Sequence, residues 1–243
     1  MMTKPTPVLM SWSGGKDSAL ALYELLRSPD WEVVGLLTSV ADQYRRVSHH
    51  GVREELLDEQ ADALGLPLDK LRLTFRDGPC TNDVYEQLVG DKLEEYVRRG
   101  VRHVAHGDLY LADLRAYRER NLAKLEMTGV FPIWGRDTRQ LVEEFEDWGF
   151  RSVLCCVEGS KLDASFVGRQ VDRRLLADLP PEVDPAGENG EYHSFVYEGP
   201  IFRRPLAIQL GEVVTRDNRH YIDLQLVADG QDAELVPAGL PPV

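Results

Sequence analysis

A short polar segment near the N-terminus of the chain separates two apolar runs and has the residue types needed to bind phosphate. Residues 8–22 read VLMSWSGGKDSALAL, in which a short apolar run, typical of a buried strand, precedes SGGKDS and apolar residues at helical spacing follow it. The first turn of a helix has unpaired backbone N–H groups and a partial positive charge, and glycines let a backbone approach an anion closely. The sequence therefore predicts an anion-binding loop between a strand and a helix.

The side chains in and beside this loop predict how a nucleotide and a metal ion could be held. The residues expected to contact the phosphates are Ser11, Ser13, Gly14, Gly15, Lys16 and Ser18. Asp17, at the start of the helix, is expected to hold Mg²⁺, because this ion usually combines one or two carboxylates with substrate phosphates. The segment is not a Walker A loop, since Met10 and Asp17 occupy positions where that loop requires Gly and Ser or Thr. Helix capping by Ser13 and Asp17 is the structural alternative.

A second cluster of reactive side chains lies near the C-terminal end, in the segment DPAGENGEYH at residues 184–193. Its titratable residues are Asp184, Glu188, Glu191 and His193. Carboxylates can bind Mg²⁺ or orient ammonia, and a histidine can act as acid or base near neutral pH. A solvated acidic turn is the alternative for this segment when it is considered without other information.

Three further groups of residues are candidates because of where they fall relative to the predicted strands. His50 precedes Gly51 at the edge where an open α/β sheet binds ligands, so contact with nucleotide or substrate and a helix-capping role are both open. His106, Gly107 and Asp108 end the fourth predicted strand at the same edge. On the next predicted helix, Arg115, Arg118 and Glu119 are interpreted either as site residues or as a surface ion pair.

The elements that must position these residues alternate along the first half of the chain. Strands are predicted at 7–12, 31–38, 68–74 and 101–107, with a short one at FPIW, and amphipathic helices separate them. This alternation predicts an α/β fold with a five-stranded parallel, doubly wound sheet. A second, smaller α+β domain is predicted to follow, with the boundary between 1–134 and 135–243 and a C-terminal hairpin around Asp217 and Asn218.

Composition and charge narrow the function classes. The formal net charge of −13 at pH 7 repels polyphosphate backbones, so no nucleic-acid partner is expected. No stretch reaches the roughly 18 consecutive apolar residues of a membrane span, and the N-terminus lacks the pattern of a signal peptide. A cytoplasmic protein with no membrane partner is therefore expected, and the three cysteines are interpreted as reduced core thiols.

The segment SGGKDS resembles the pyrophosphate loop (PP-loop) of the N-type ATP pyrophosphatases, which cleave ATP between its α and β phosphates. Four other segments resemble the diphthine-ammonia ligase family: SHHGVREELLDEQADALGLPL, GDLYLADLR, PIWGRDT and GENGEYHSFVYEGPIF. These segments extend the resemblance from residue 8 to about residue 203 and leave the hairpin outside it. The resemblance implies an adenine nucleotide alpha-hydrolase (HUP) fold and marks Gly107 and Asp108 as part of the nucleotide site.

The function implied by the resemblance is that of an ATP-dependent ligase, which adenylates a substrate carboxylate, releases pyrophosphate and amidates the acid with ammonia. The implied catalytic residues are Lys16, Asp17, Glu188, Glu191 and His193, and the implied cofactors are ATP and Mg²⁺. The partners would be a small-molecule or protein-borne carboxylate and ammonia, and a homodimer is one assembly open to the chain. In members of the family, the segment that corresponds to residues 187–194 resembles GEGGEFET. This chain differs from that pattern at Asn189 and His193, so the acid need not be diphthine.

Two other functions are weighed against the ligase. A tRNA-modifying PP-loop enzyme would use the same nucleotide chemistry, but the acidic charge balance and the lack of paired cysteines disfavour it. A non-catalytic ATP- or AMP-binding sensor would need only the loop, and tight ATP binding without pyrophosphate release would indicate it.

Overall fold

The computed structural model describes residues 4–43, 46–47, 51–73 and 81–227. Their packing divides into two compact units that interleave along the chain. Unit 1 comprises Met1–Ser13, Asp17–Arg45 and Leu66–Arg136, and unit 2 comprises Gly14–Lys16, Arg46–Gly65 and Asp137–Val243. The functional domain boundary predicted after residue 134 stays a prediction, because units defined by packing do not test it.

The elements of unit 1 form a parallel α/β layer structure. In chain order they are β1 (Thr6–Ser11), α1 (Lys16–Arg27), β2 (Trp31–Ala41), β4 (Leu68–Leu73), α3 (Asn82–Arg98), β5 (His103–Ala105), α4 (Ala112–Ala123) and β6 (Thr128–Val130). The five strands pair in parallel in the order β4-β2-β1-β5-β6, which confirms the predicted five-stranded sheet with flanking helices. The chain order reverses beside β1, and such a reversal opens a crevice at the carboxyl ends of the strands.

The central strand β1 is apolar because it is covered on both faces. Val8, Leu9 and Met10 are fully buried, as expected for a strand in the middle of a parallel sheet. Leu9 pairs in register with Val104 of β5, and both belong to the core that α3 and α4 cover. The loop after β1 therefore starts from a rigid position.

The last strand of this sheet differs from its prediction. The sheet uses residues 128–130, and the FPIW segment that was predicted as a strand forms a turn immediately after it. Pro132 has no N–H to donate to a strand ladder, and this favours the turn. The prediction of a strand at FPIW was wrong by a few residues, although a fifth strand exists.

Unit 2 contains a four-stranded sheet and helices of its own. In chain order its elements are β3 (Arg46–Val47), α2 (Glu54–Leu64), α5 (Thr138–Asp147), β7 (Arg151–Glu158), α6 (Arg173–Asp178), β8 (Tyr192–Glu198), β9 (Ile208–Arg216) and β10 (Arg219–Leu226). The antiparallel sheet has the order β8-β7-β10-β9. The predicted hairpin is confirmed, and its turn residues Asp217 and Asn218 have φ of 49° and 59°, as a tight hairpin turn requires.

Candidate functional site

In unit 1, a hydrogen bond joins the two ends of the short loop after β1. Ser13 Oγ and Ser18 Oγ lie 3.2 Å apart, so a hydrogen bond joins the start of the loop to the first turn of α1. The Trp12 N–H donates to the carbonyl of Leu37 on β2 at 2.8 Å, which holds the chain at the carboxyl edge of the sheet. Asp17 lies in the first turn of α1, where a negative side chain is favoured by the helix dipole.

Gly107 brings the loop after β5 against the start of α1. A Cβ at Gly107 would lie 2.7 Å from the backbone carbon and oxygen of Asp17 and 2.8 Å from the Ser18 nitrogen. These atoms are backbone, so they cannot move aside as a flexible side chain could. Glycine at this position is therefore required for the two segments to pack this closely.

Asp108 is a buried carboxylate that forms an ion pair with the helix that follows. Its two oxygens accept from Arg118 Nε at 2.7 Å and Arg118 Nη2 at 3.2 Å. The expected surface ion pair does form, but between Arg115 and Glu119 at 2.9 Å. Arg118 instead fixes the side chain of Asp108.

His106 lies between the end of β5 and Gly107. Its side chain is buried, and neither ring nitrogen has a hydrogen-bond partner among the described residues. Burial, together with the nearby charge of Arg118, holds its pKa well below the usual range, so the imidazole is neutral. Its ring stacks on Phe131 with a centroid distance of 5.6 Å, and Arg115 lies over the Phe131 ring at 4.5 Å.

In unit 2, Gly14 is held by a buried carboxamide and by β8. The Gly14 carbonyl accepts from the Val196 N–H at 2.9 Å and from Gln60 Nε2 at 3.0 Å. Gln60 Nε2 also donates to the Val196 carbonyl at 2.6 Å. Gly14 has φ of +79°, and a Cβ there would lie 2.7 Å from the side chain of Leu57 on α2. Both the backbone conformation and the lack of space therefore exclude a larger residue.

Lys16 is 3% exposed, and it contacts residues in and next to the second predicted cluster. Its backbone N–H donates to Ser194 Oγ at 3.1 Å. Its ammonium donates to the Ala186 carbonyl and lies 4.9 Å from the centre of the Tyr192 ring. The positive charge of the loop and the segment 184–194 are therefore in direct contact within unit 2.

The acidic segment is organised by two of its own carboxylates. Asp184 accepts from the N–H groups of Ala186 at 2.9 Å and Glu188 at 3.2 Å. Glu191 is buried and accepts from the Asp184 N–H at 3.1 Å and from Asn189 through its N–H at 2.9 Å and its Nδ2 at 3.1 Å. These bonds give Asp184 and Glu191 a structural role in shaping the segment.

The remaining predicted residues are placed as follows. Ser11 is the last residue of β1, and Gly15 lies between Gly14 and Lys16. Glu188 is half-buried in the turn of the acidic segment, and His193 lies near the start of β8, paired with Cys156 of β7. His50 lies outside the described residues, so its predicted role stays a prediction.

Sequence reasoning missed two residues of unit 2 that contact Gly14 and Lys16. Gln60 was not among the candidates, although a buried amide on the apolar face of α2 signals a specific partner. Ser194 is similar, because it is a buried hydroxyl on a strand. His106 was named among the candidates, but its burial without a hydrogen-bond partner among the described residues was not predictable from sequence.

No group of three or more histidine, cysteine or acidic residues within the described ranges is arranged to hold a metal ion. Asp17 is the carboxylate predicted to hold Mg²⁺. Such an ion would take its other ligands from nucleotide phosphates and water, as Mg²⁺ commonly does.

The fold and these residues together are typical of one class of α/β proteins. A parallel sheet whose chain order reverses beside β1, with a glycine-containing loop leading from β1 into a helix, is the arrangement of α/β proteins that bind anionic ligands at the carboxyl edge of the sheet. The chain belongs to the diphthamide synthase family. The family's N-terminal domain matches residues 6–127 and its C-terminal domain matches residues 137–228.

Curated relatives agree with this assignment. The chain is 26% identical over 229 residues to the diphthine–ammonia ligase of Bos taurus, covering 84% of this chain and 83% of the relative. It is 26% identical over 228 residues to the Homo sapiens enzyme, covering 83% and 82%. The Schizosaccharomyces pombe enzyme is 25% identical over 237 residues, which cover 90% of this chain and 39% of that protein. Relatives of this kind indicate a ligase.

The match to the family also covers the C-terminal hairpin. The C-terminal family domain extends to residue 228, so it includes the hairpin that the motif resemblance had left outside. Among the described residues, no helix is both long enough and apolar enough to cross a membrane.

Proposed function

We propose that this chain is an ATP-dependent ligase that joins ammonia to a carboxylic acid and cleaves ATP to AMP and pyrophosphate. The observation that supports this proposal most strongly is the loop at residues 13–18, with Lys16 in contact with the acidic segment. The loop has the features of a phosphate site, and the acidic segment has the residue types for handling an acid and an amine. The family relationship supports the use of ATP.

Backbone groups of the loop would bind the phosphates. Gly14 and Gly15 precede the start of α1, where backbone N–H groups lie and the helix dipole favours an anion. The hydroxyls of Ser13 and Ser18 would add donors near these N–H groups, and Ser11 would contribute from the end of β1. Gly107 and Asp108 would complete the nucleotide site, since Gly107 packs against Asp17 and Ser18.

Charge neutralisation would come from Lys16 and from a magnesium ion held by Asp17. A bound Mg²⁺ would lower the cost of the negative charge that develops on the departing pyrophosphate. The Lys16 ammonium would serve the same purpose, having exchanged its contact with the Ala186 carbonyl for a phosphate oxygen. Both roles are electrostatic and require no nucleophile from the protein.

The reaction would proceed in two substitutions. A carboxylate oxygen of the acid attacks the α-phosphorus, the bond to the β-phosphate oxygen breaks, and pyrophosphate leaves with the electron pair. Ammonia then attacks the carbonyl carbon of the acyl-adenylate, AMP leaves, and one proton is lost from nitrogen. The protein would contribute mainly by positioning the reactants.

The acidic segment would act in the second substitution. Glu188 and His193 would orient ammonia and accept the proton that nitrogen loses, a role suited to a histidine near neutral pH. Glu191, with three N–H donors on its carboxylate, would act by holding this segment in shape. We therefore propose Glu191 as a positioning residue within the catalytic group.

The acid acceptor is proposed only as a class. The curated relatives are named for diphthine, and diphthine is therefore one candidate. Asn189 and His193 differ from the GEGGEFET pattern in the segment proposed to meet the acid. A different small-molecule or protein-borne carboxylate is the other candidate, with free ammonia as the amine in both cases.

The test is an analysis of nucleotide products. The protein is incubated with ATP, Mg²⁺, ammonium chloride and a panel of carboxylic acids that includes diphthine-bearing protein. The proposal expects AMP and pyrophosphate in equal amounts, dependent on one acid and on ammonium. Production of ADP and phosphate without AMP would contradict it.

A matched pair of variants tests the role of Asp17. Asp17→Asn should reduce AMP formation by about 100-fold or more, because it removes charge at the proposed Mg²⁺ position. Asp30→Asn changes an exposed aspartate in the same unit and should leave the rate unchanged. Equal rates for Asp17→Asn and the unmodified chain would remove the metal role from Asp17.

A further inference from the structure

Strand β9 forms one edge of the antiparallel sheet of unit 2. In the order β8-β7-β10-β9, its one neighbouring strand among the described residues is β10. Residues 212–216 of β9 are all exposed. An edge strand of this kind presents a row of backbone N–H and C=O groups to which a strand of another chain can pair.

Two apolar side chains lie next to each other on this edge, one on each face of the sheet. Val213 is 48% exposed and Val214 is 53% exposed. Isolated apolar residues are common on protein surfaces, but β-branched residues in strands are stabilised by neighbours on the same face of the sheet. Because successive side chains point to opposite faces, a further strand beside β9 would cover both valines.

The geometry of the hairpin determines which backbone groups of β9 point outward. Arg216 and Arg219 flank the two-residue turn and face each other, and residues in these positions form a hydrogen-bonded pair in such hairpins. The alternation of an antiparallel ladder then directs the N–H and C=O groups of Thr215 and Val213 to the outer side. A register shift follows on the other side of Val213, and bulges of this kind often end strand pairing. The segment open to pairing is therefore short, at residues 212–216.

The sequence of this segment, EVVTR, is complementary to itself in one antiparallel register. In that register Val214 lies on a two-fold axis and faces Val214 of a second copy. Glu212 of each copy then faces Arg216 of the other, and Val213 faces Thr215. Opposite charges and β-branched pairs stabilise antiparallel strands, and the outward groups of residues 213 and 215 meet as hydrogen-bonded partners.

The charged residues disfavour the other registers. With Val213 or Thr215 on the two-fold axis, neither charged residue of the segment faces an opposite charge. With Glu212 or Arg216 on the axis, like charges face each other, which destabilises strand pairing. Arg216 also faces Arg219 within the hairpin, so a carboxylate on its outer side offsets the repulsion between these two cations.

We propose that β9 is a self-association surface, on which two copies of this chain form a two-fold dimer by antiparallel pairing of residues 212–216. The two sheets then continue into each other across the axis. The ladder is short, so the buried area lies below the roughly 1,200 Å² of a stable interface. The dimer is therefore reversible, with a dissociation constant of about 10–100 µM.

The experiment is sedimentation equilibrium of the full chain between about 1 and 300 µM, with charge variants that test the register. Glu212→Lys places two cations opposite each other at both ends of the ladder and should raise the dissociation constant by about tenfold or more. The double variant Glu212→Lys/Arg216→Glu restores opposite charges and should return the constant to within about threefold of the original. Glu198→Lys, at an exposed position on the opposite edge strand β8, is the control and should change nothing.

The variant Thr215→Pro tests the backbone pairing without altering a charge. It removes an N–H that points away from β10, so the hairpin keeps its bonds while the dimer should be lost, with far-UV circular dichroism confirming the fold. A chain that stays monomeric at every concentration would overturn the inference. A dimer that Glu212→Lys does not weaken, or that the double variant does not restore, would also overturn it. The assay contains no ATP, so each of these results leaves the ligase proposal standing.

Discussion

Lys16 shows how one residue can connect the two predicted clusters of reactive side chains. Its ammonium is buried against the Ala186 carbonyl and the face of Tyr192, both from the acidic segment. A buried charge of this kind is stable only when polar groups and an aromatic face replace water. The same contacts keep the ammonium close to the loop backbone, where phosphates are proposed to bind.

The Lys16→Met substitution tests the importance of this charge. Methionine keeps an unbranched apolar stem but removes the ammonium, so we expect kcat/KM for ATP to fall by about 100-fold or more. Steady-state kinetics of AMP formation provide the measurement. Lys161→Met, which alters an exposed lysine of unit 2, is the matched control. An unchanged kcat/KM for Lys16→Met would exclude the proposed role in charge neutralisation.

Glu191 can be assigned either to structure or to chemistry by measuring stability and activity together. Three N–H donors surround its carboxylate, and Glu191→Gln turns an amide NH₂ toward some of them. We expect a loss of about 2–3 kcal/mol in the free energy of unfolding, with a parallel loss of activity. Urea denaturation gives the first quantity. A loss of activity with unchanged stability would instead indicate direct participation in catalysis. Glu182→Gln, at an exposed position, serves as the control.

At the scale of elements, one ion-pair cluster holds the segment before α2 to the hairpin of unit 2. Asp223 on β10 accepts from Arg53 Nη2 at 2.7 Å and from Arg46 Nη2 at 2.9 Å. Arg53 is the residue that immediately precedes α2, and Arg46 lies on β3. Hydrogen bonds from the Arg53 guanidinium hold the pKa of Asp223 well below its usual range.

This pKa shift predicts how stability depends on pH. The unfolded pKa of an aspartate is about 3.9, so the contribution of Asp223 is fully present above that pH and is lost as pH falls toward the lower folded value. Asp223→Asn should reduce the free energy of unfolding by roughly 2 kcal/mol at pH 7. The difference between the two proteins should shrink as pH is lowered from about 5 to about 2. Urea denaturation across this range measures it, and a difference that grows at low pH would show that the ion pair is not responsible.

The elements also show which parts of the fold are readable from sequence. The segment from β1 to α1 was predicted correctly because its signals are local. They are a buried apolar run, two glycines and then apolar residues at helical spacing. The hairpin was equally local, with Asp217 and Asn218 at its turn. The role of Gln60 was not predictable in this way, because its partners Gly14 and Val196 are far from it in sequence.

At the scale of the whole molecule, the sequence predicted the α/β class and the family motifs, but it could not indicate the packing of the loop. The division into units that interleave along the chain depends on contacts distant in sequence, such as those of Gly14 with β8. His106 is another such case. Its ring stacks on Phe131, which lies beyond the next helix and strand of the chain.

For the whole molecule, we propose above all that the acid attacks the α-phosphorus of ATP. The most direct measurement uses the acid that supports AMP formation, labelled with ¹⁸O in its carboxylate, followed by mass spectrometry of the nucleotide product. The mechanism predicts that each AMP formed carries one ¹⁸O from the acid, with none in pyrophosphate. AMP without label, or label in free phosphate, would contradict it.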